Sequence, residues 1–147
     1  MQSAVDLLVA RELAHKLSSD AKSILVPFYG TEPGEILYMR IMASDDPLFV
    51  AANILFPFTC PDARRDVACE AIVRANFGLE FGRFEMDLSD GEMMFVCSAF
   101  PPANGVDEAA ATVIDASLCY TVKFIGAFKQ CLFGGASAED AMAGIHF

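Results

Sequence analysis

The segment from Thr59 to Phe100 constrains the fold of this chain more than any other part of the sequence. Apolar residues recur at helical spacing after Thr59, and two short stretches of alternating polar and apolar residues follow. Asp90-Gly91 separates these two stretches, and this pair is typical of tight turns between strands. The segment therefore predicts one amphipathic helix and then a β-hairpin, with Gly82 at the start or at a bulge of its first strand.

Three further strands are predicted ahead of this segment, at residues 24–29, 35–43 and 48–58. Short turns rich in Gly, Pro and Asp separate them, so neighbouring strands should pair in antiparallel fashion. The third strand is apolar at nearly every position, which favours a place inside the sheet. Residues 4–17 predict a first helix, capped by Ser3 and Asp6, with His15 on its solvent side.

An unusually apolar helix of about 27 residues is predicted between a cap at Asp107 and the pair Gly134-Gly135. Its apolar positions span roughly 200° of the helix circumference, and one sheet should cover only about half of that arc. The rest of the arc should face other helices, a second subunit or a peptide. The predicted partner or dimer surface consists of Leu118, Phe124, Ile125 and Phe128.

These elements predict an α+β fold with an antiparallel sheet of about five strands. The expected order is α-β-β-β-α-β-β-α-α, in which Ser137 and Asp140 open the short last helix. A length of 147 residues indicates a single domain, residues 1–147, with a sizeable core. The 54% hydrophobic content with 13 Phe excludes a disordered chain.

Charge and cysteine content narrow the functional classes. A formal charge of −10 with a pI near 4.4 disfavours nucleic acid and anionic lipid as partners. Five widely spaced cysteines suggest neither a disulfide framework nor a zinc site, and no signal peptide is apparent, so a cytoplasmic protein is expected. Charged and amide residues within the apolar helix, Asp115, Lys123, Lys129 and Gln130, argue against a membrane span.

The sequence offers no catalytic constellation. Its two histidines, His15 and His146, lie on a polar face and beside the terminus, and neither a Ser/His nor a Cys/His arrangement can be defended. The acids Asp87, Asp90 and Glu92 lack the spacing of a calcium loop, and the glycines form no phosphate-binding loop. We therefore assign no catalytic, cofactor-binding or metal-binding residue, and expect a protein that is not an enzyme.

Several blocks of the sequence nevertheless resemble the YbjN family, which is described as bacterial sensory transduction regulators. The blocks are Gly82-Arg83-Phe84-Glu85-Met86-Asp87, Asp90-Gly91-Glu92-Met93-Met94-Phe95, Phe100-Pro101-Pro102 with Gly105, the helix residues Arg64, Ile72 and Asn76, and Ser137-Ala138-Glu139-Asp140-Ala141. The resemblance implies the fold of type III secretion chaperones, which are small, acidic, cytoplasmic dimers that bind extended segments of secreted proteins. It implies no catalytic residue.

Two functional hypotheses follow from the sequence. The first is a non-enzymatic cytoplasmic protein-binding module, expected to be a homodimer. It would act as a chaperone or regulatory adaptor and bind a polypeptide through the apolar helix face or a sheet edge. The alternative is a small-ligand module, less readily an enzyme, with a cavity between the sheet and the long helix. That cavity would be lined by Phe84, Met86, Phe95 and Phe124.

Overall fold

A computed structural model of the chain describes residues 6, 8, 9, 12, 14–19, 23–45 and 48–145. Six strands form one antiparallel sheet in the order β1-β2-β3-β4-β6-β5. The strands are β1 (Lys16–Leu17), β2 (Ser23–Tyr29), β3 (Ile36–Asp45), β4 (Leu48–Thr59), β5 (Arg83–Met86) and β6 (Glu92–Ala99). The nearly continuous apolar strand, β4, lies inside the sheet between β3 and β6, as its composition predicts.

After β4, three α-helices cover one face of this sheet. They are α1 (Arg65–Asn76), α2 (Val106–Leu132) and α3 (Ala138–Met142). Helix α2 lies across β4 and β6, α1 contacts β5, and the three helices also contact one another. The result is an α+β architecture, with helices on one side of an antiparallel sheet.

The core lies between the helices and this face of the sheet. Its centre is a cross-strand row in which the backbone register aligns one buried residue from each of five strands. The row consists of Val26, Met39, Ile54, Phe95 and Phe84. The Phe84 ring lies 4.9 Å from the Phe95 ring and 5.0 Å from the Phe128 ring of α2, measured between centroids. Both contacts are edge-on, and the second joins the sheet to α2.

The start of the chain differs from its prediction. Asp6, Leu8 and Val9 are helical and Leu8 is fully buried, but much of the predicted helix and its Ser3 cap lies outside the described residues. At the end of the predicted helix, Lys16–Leu17 pairs with β2 and is a strand. This short strand brings the number of strands to six rather than five, because pairing with a sheet edge outweighs the helical spacing.

The long helix also begins earlier than expected. Gly105 is its N-cap and no side chain caps it, so Asp107 lies within the first turn rather than at the cap. In the first turn, the negative charge of the Asp107 carboxylate still interacts favourably with the positive end of the helix dipole. The helix ends at Leu132, just before Gly134 and Gly135, and Ser137 caps α3 by accepting a hydrogen bond from the Asp140 amide at 3.0 Å, both as predicted.

Among the described residues, α2 is the one helix long and apolar enough to cross a membrane. Its most apolar window of 18 residues has a mean hydropathy of 1.3, and core helices of soluble proteins meet the same criterion. In this structure α2 carries ten buried residues and packs against two strands.

Candidate functional site

The helix surface predicted to bind a partner is mostly core. Phe124 is 2% exposed, and Ile125 and Phe128 are fully buried. Leu118 is half-buried. The prediction was wrong for the three buried residues because α1 and α3, as well as the sheet, contact α2 and cover its wide apolar arc. These side chains are therefore not available to a partner of the folded chain.

The proposed ligand cavity between sheet and helix is filled by the residues expected to line it. The rings of Phe84 and Phe95 lie 4.9 Å apart, and those of Phe84 and Phe124 lie 5.1 Å apart. Both separations are those of aromatic rings in direct contact. The space between them is thus occupied by side chains, and Met86 is half-buried at the edge of this cluster.

One sheet edge is unsuited to adding another strand. Gly30 donates a hydrogen bond to the Glu35 carbonyl at 2.9 Å, which fixes the alternation of hydrogen bonds between β2 and β3. By that alternation, Pro27 directs its backbone groups away from β3, toward the outer side of β2. Proline has no N–H, so a strand added to the outer side of β2, past the end of β1, would find no donor at Pro27.

The opposite edge is closed by a side chain. The Asn76 Nδ2 donates to the Phe84 carbonyl at 3.0 Å, and the Phe84 amide donates to Asn76 Oδ1 at 2.8 Å. Asn76 therefore pairs with the outer backbone groups of β5 as a neighbouring strand would. The predicted sheet-edge mode of peptide binding is thus disfavoured at both ends of the sheet.

The face of the sheet away from the helices is left uncovered by the described elements. Its side chains come from the alternate positions of β2, β3, β4, β5 and β6, with Lys16 at the end. Tyr38 is 49% exposed and Leu55 is 44% exposed near its centre, and Tyr29 is 83% exposed at one corner. We define this open face by Lys16, Leu25, Pro27, Tyr29, Ile36, Tyr38, Arg40, Asn53, Leu55, Arg83, Glu85, Glu92, Met94 and Val96.

A shallow cleft of about 280 Å³ crosses the middle of the open face. It is lined by Leu25, Tyr38, Arg40, Asn53, Leu55, Glu92 and Met94. Asn53 Oδ1 is buried there without a hydrogen-bond partner among the described residues. An unpaired buried acceptor costs free energy, so the cleft favours an occupant that supplies a donor.

The charge of the open face differs from that of the whole chain. Three basic residues, Lys16, Arg40 and Arg83, face two acidic ones, Glu85 and Glu92, so the face carries one net positive charge. Arg83 and Glu85 already pair with each other at 2.5 Å. The whole chain carries −10, so electrostatic repulsion between acidic molecules is weaker at this apolar face than over the chain as a whole.

Groups able to do chemistry are sparse in the described part of the chain. His15 is exposed, as predicted, and His146 lies outside the described residues. Burial raises the pKa of the Cys97 thiol, and it also raises that of Cys60 and Cys131 despite nearby arginines. Thiols of this kind are poor nucleophiles at neutral pH. Within the described residues, no three His, Cys, Asp or Glu side chains are grouped as metal ligands.

The residues on which the resemblance to the YbjN family is based have structural roles in this fold. Gly91 has a φ of +80°, and a β-carbon there would lie 2.3 Å from the Cys60 carbonyl oxygen. Gly82 has a φ of +72° immediately before β5, where the sequence predicts a strand start. These positions need glycine for backbone reasons. Asn76 closes the edge of β5, so none of these residues needs a ligand to explain it.

A second concave region lies outside the core, between the loop after α1 and the outer side of α2. This groove has a volume of about 630 Å³ and is open to solvent. It is lined by Gly78, Glu80, Phe81, Thr112, Asp115, Ala116, Cys119, Tyr120 and Lys123.

No protein-family model, curated protein or solved structure matches this chain. The resemblance to the YbjN family therefore stays a prediction, as does the likeness to type III secretion chaperones. The open face was missed from the sequence, although a signal was present. Along β3 and β4, Tyr38 and Leu55 occupy the positions that alternate with the buried residues. These alternate positions also carry apolar side chains.

Proposed function

We propose that this chain is a non-enzymatic protein-binding module that binds its partner across the open face of the sheet. The observation that carries the proposal is the apolar, uncovered face centred on Tyr38 and Leu55, with the unpaired Asn53 Oδ1 in its cleft. Contiguous exposed apolar surface on a folded chain is typical of protein-interaction sites. A chaperone-like or adaptor role in the cytoplasm is consistent with the acidic composition.

The choice of this face follows from the alternatives. The apolar face of α2 is occupied by core contacts, and the sheet edges are closed by Pro27 and Asn76. Arg40 lies near the middle of the open face, and no hydrogen bond or ion pair of its side chain occurs among the described residues. A partner with apolar side chains, an acidic group to pair with Arg40 and a hydrogen-bond donor for Asn53 Oδ1 would complement both residues.

Substitution at the centre of the open face tests the proposal. We expect Leu55→Asp to abolish partner capture when the tagged protein is cross-linked in an extract of its native host and the products are identified by mass spectrometry. The carboxylate would be desolvated in the interface, while in the free protein it remains exposed, so folding should survive. Circular dichroism and the urea midpoint check that it does.

Val73→Asp is the matched control, because Val73 is 69% exposed on α1, away from the open face. It should capture the same proteins as the unchanged chain. Several unrelated chains lost only with Leu55→Asp would indicate a chaperone, and one stoichiometric chain an adaptor. Equal capture by the unchanged chain and Leu55→Asp would contradict the proposed function.

A small-ligand role is the second candidate function. The groove lined by Phe81, Tyr120 and Lys123 has the volume of a small-molecule site and combines aromatic with polar side chains. It replaces the cavity predicted from the sequence. Native mass spectrometry of the purified protein tests it, since a bound small molecule absent from a Tyr120→Ala variant would favour this role.

A further inference from the structure

We infer that the partner seated on the open face is a second copy of this chain, packed face to face about a two-fold axis. This inference rests on the proposed function and names its partner. Two sheets can pack in this way about 10 Å apart, with the side chains of their facing surfaces interdigitated. The open face has the three properties that such an arrangement needs, in its geometry, its charge and its area.

The geometry places opposite charges on opposite sides of one residue. Leu55 of β4 lies opposite Tyr38 on β3 and Met94 on β6. Arg40 lies two residues beyond Tyr38 on one side of that row. Glu92 lies two residues from Met94 on the other side, where an irregularity in the register places it opposite Thr59. Arg40 and Glu92 therefore lie at the two ends of a diagonal that passes over Leu55.

A two-fold axis in the interface explains why this diagonal matters. If the axis passes over Leu55, perpendicular to the diagonal, it brings Arg40 of each copy over Glu92 of the other. Two identical ion pairs form at once, and Leu55 packs at the centre. An interface of this kind is self-complementary, which is the requirement for a closed dimer.

The charge of the molecule also favours packing of two copies through their open faces. Two chains of −10 each repel one another over most of their surfaces. The open face carries one net positive charge, so two copies can approach through it with less repulsion than the charge of the whole chain would produce. A strongly acidic partner would instead leave Glu92 facing a like charge.

The area of the face is sufficient for a modest dimer. The four longer strands form a plane about 19 Å wide and about 24 Å long, from strand spacing and rise. With the relief of the side chains this amounts to on the order of 600 Å² from each copy. The total of about 1,200 Å² lies at the lower end of stable interfaces, so the dimer should depend on concentration.

A charge-swap experiment tests the inference on the full chain. Light scattering coupled to size exclusion should give about twice the 15.9 kDa chain mass for the unchanged protein. Arg40→Glu and Glu92→Arg should each weaken self-association by about 100-fold, because each replaces two attractive pairs by two repulsive ones. An equimolar mixture of the two variants should recover the dimer, because every cross-pair is again opposite in charge.

Arg74→Glu is the control for a change of the same size and sign on exposed α1, and it should leave the dimer intact. A monomeric unchanged chain would overturn the inference, as would dimeric single variants or a mixture that fails to associate. A monomer whose captured host proteins are still lost with Leu55→Asp would leave the proposed function standing. A dimer indifferent to Leu55→Asp and to both charge variants, with unaltered capture, would overturn both.

Discussion

At the scale of single residues, the side-chain carboxamide of Asn76 makes the backbone hydrogen bonds that a further strand beside β5 would make. Asn76 ends α1, and its side chain offers one donor and one acceptor to the two outer backbone groups of Phe84. A peptide group in a neighbouring strand would offer the same pair. Gln carries the same carboxamide but would place it one methylene further out.

We expect Asn76→Ala to destabilise the protein by about 2 kcal/mol, because two hydrogen bonds to partly buried backbone are lost at about 1 kcal/mol each. The free energy of unfolding in urea measures the loss. Asn104→Ala, at an exposed position before α2, should leave it unchanged. An equally small effect at both positions would show that water replaces Asn76 without cost.

At the scale of the element, the end of α2 is held from outside the helix. The Arg64 guanidinium donates to the Cys131 carbonyl at 2.9 Å through Nε, and to the Ala136 carbonyl at 2.8 Å. The last carbonyls of a helix have no partner within it, so Arg64 satisfies one of them and fixes the turn that leads into α3.

Replacement of Arg64 by Met should destabilise the fold by about 2 kcal/mol, the usual cost of losing hydrogen bonds to a charged donor. Arg64→Lys should recover little of that stability, because an ammonium group lacks the planar fork that reaches two carbonyls. Urea unfolding of the three proteins provides the comparison. Recovery with Lys to the level of the unchanged chain would mean that charge alone matters at this position.

Elements were the part of this fold that the sequence predicted best. The alternation of Leu37, Met39 and Ile41 and the turn at Asp90-Gly91 are local signals, and the strands lie where these signals place them. Lys16–Leu17 was not predictable in this way, because its strand depends on pairing with Ile24 and Leu25 and not on an alternation of its own. The burial of the apolar side chains of α2 was not predictable from local signals either, because it depends on contacts with α1 and α3.

At the scale of the molecule, one ion pair ties α2 to the turn between β2 and β3. Lys129 Nζ lies 2.6 Å from Glu35 Oε1 and 3.0 Å from Glu32 Oε1, with the side chain of Glu35 only 10% exposed. Burial alone would raise the pKa of Glu35, but the hydrogen bond and charge of Lys129 outweigh it and hold this pKa below its usual value. Burial likewise lowers the pKa of Lys129, and the two glutamates more than reverse that effect.

The pH dependence of stability follows from these directions. The folded pKa of Glu35 lies below its unfolded value of 4.5, so its contribution is fully present above that pH and is lost as the pH falls through the folded value. The contribution of Lys129 is fully present below 10.5 and is lost as the pH rises beyond it. Between these limits, Glu35→Gln should cost about 1 kcal/mol.

Urea unfolding at pH 7 and in mild acid measures this contribution. The difference between the unchanged chain and Glu35→Gln should shrink as the pH falls, whereas Glu70→Gln, in an exposed pair with Arg74, should leave stability nearly unchanged at every pH. A difference that does not depend on pH would show that the carboxylate charge of Glu35 is not what stabilises the turn.

The candidate site could be predicted only in part, for a physical reason. A strand that is apolar on both phases usually lies within a core that covers both of its faces. Tyr38, Leu55 and Met94 belong to such strands, and only the placement of all the described helices on one side reveals that their face is open. The apolar surplus was thus visible in the sequence, but it was assigned to α2 instead of to the sheet.

The two closed edges also set a limit on assembly. A sheet usually polymerises by adding strands laterally, and here Pro27 and the Asn76–Phe84 pair oppose growth in that direction. Within the described part of the chain, helices cover one face of the sheet, so stacking would use the open face. Association through the open face would bury it on both molecules, so it should stop at a fixed stoichiometry rather than propagate into fibrils.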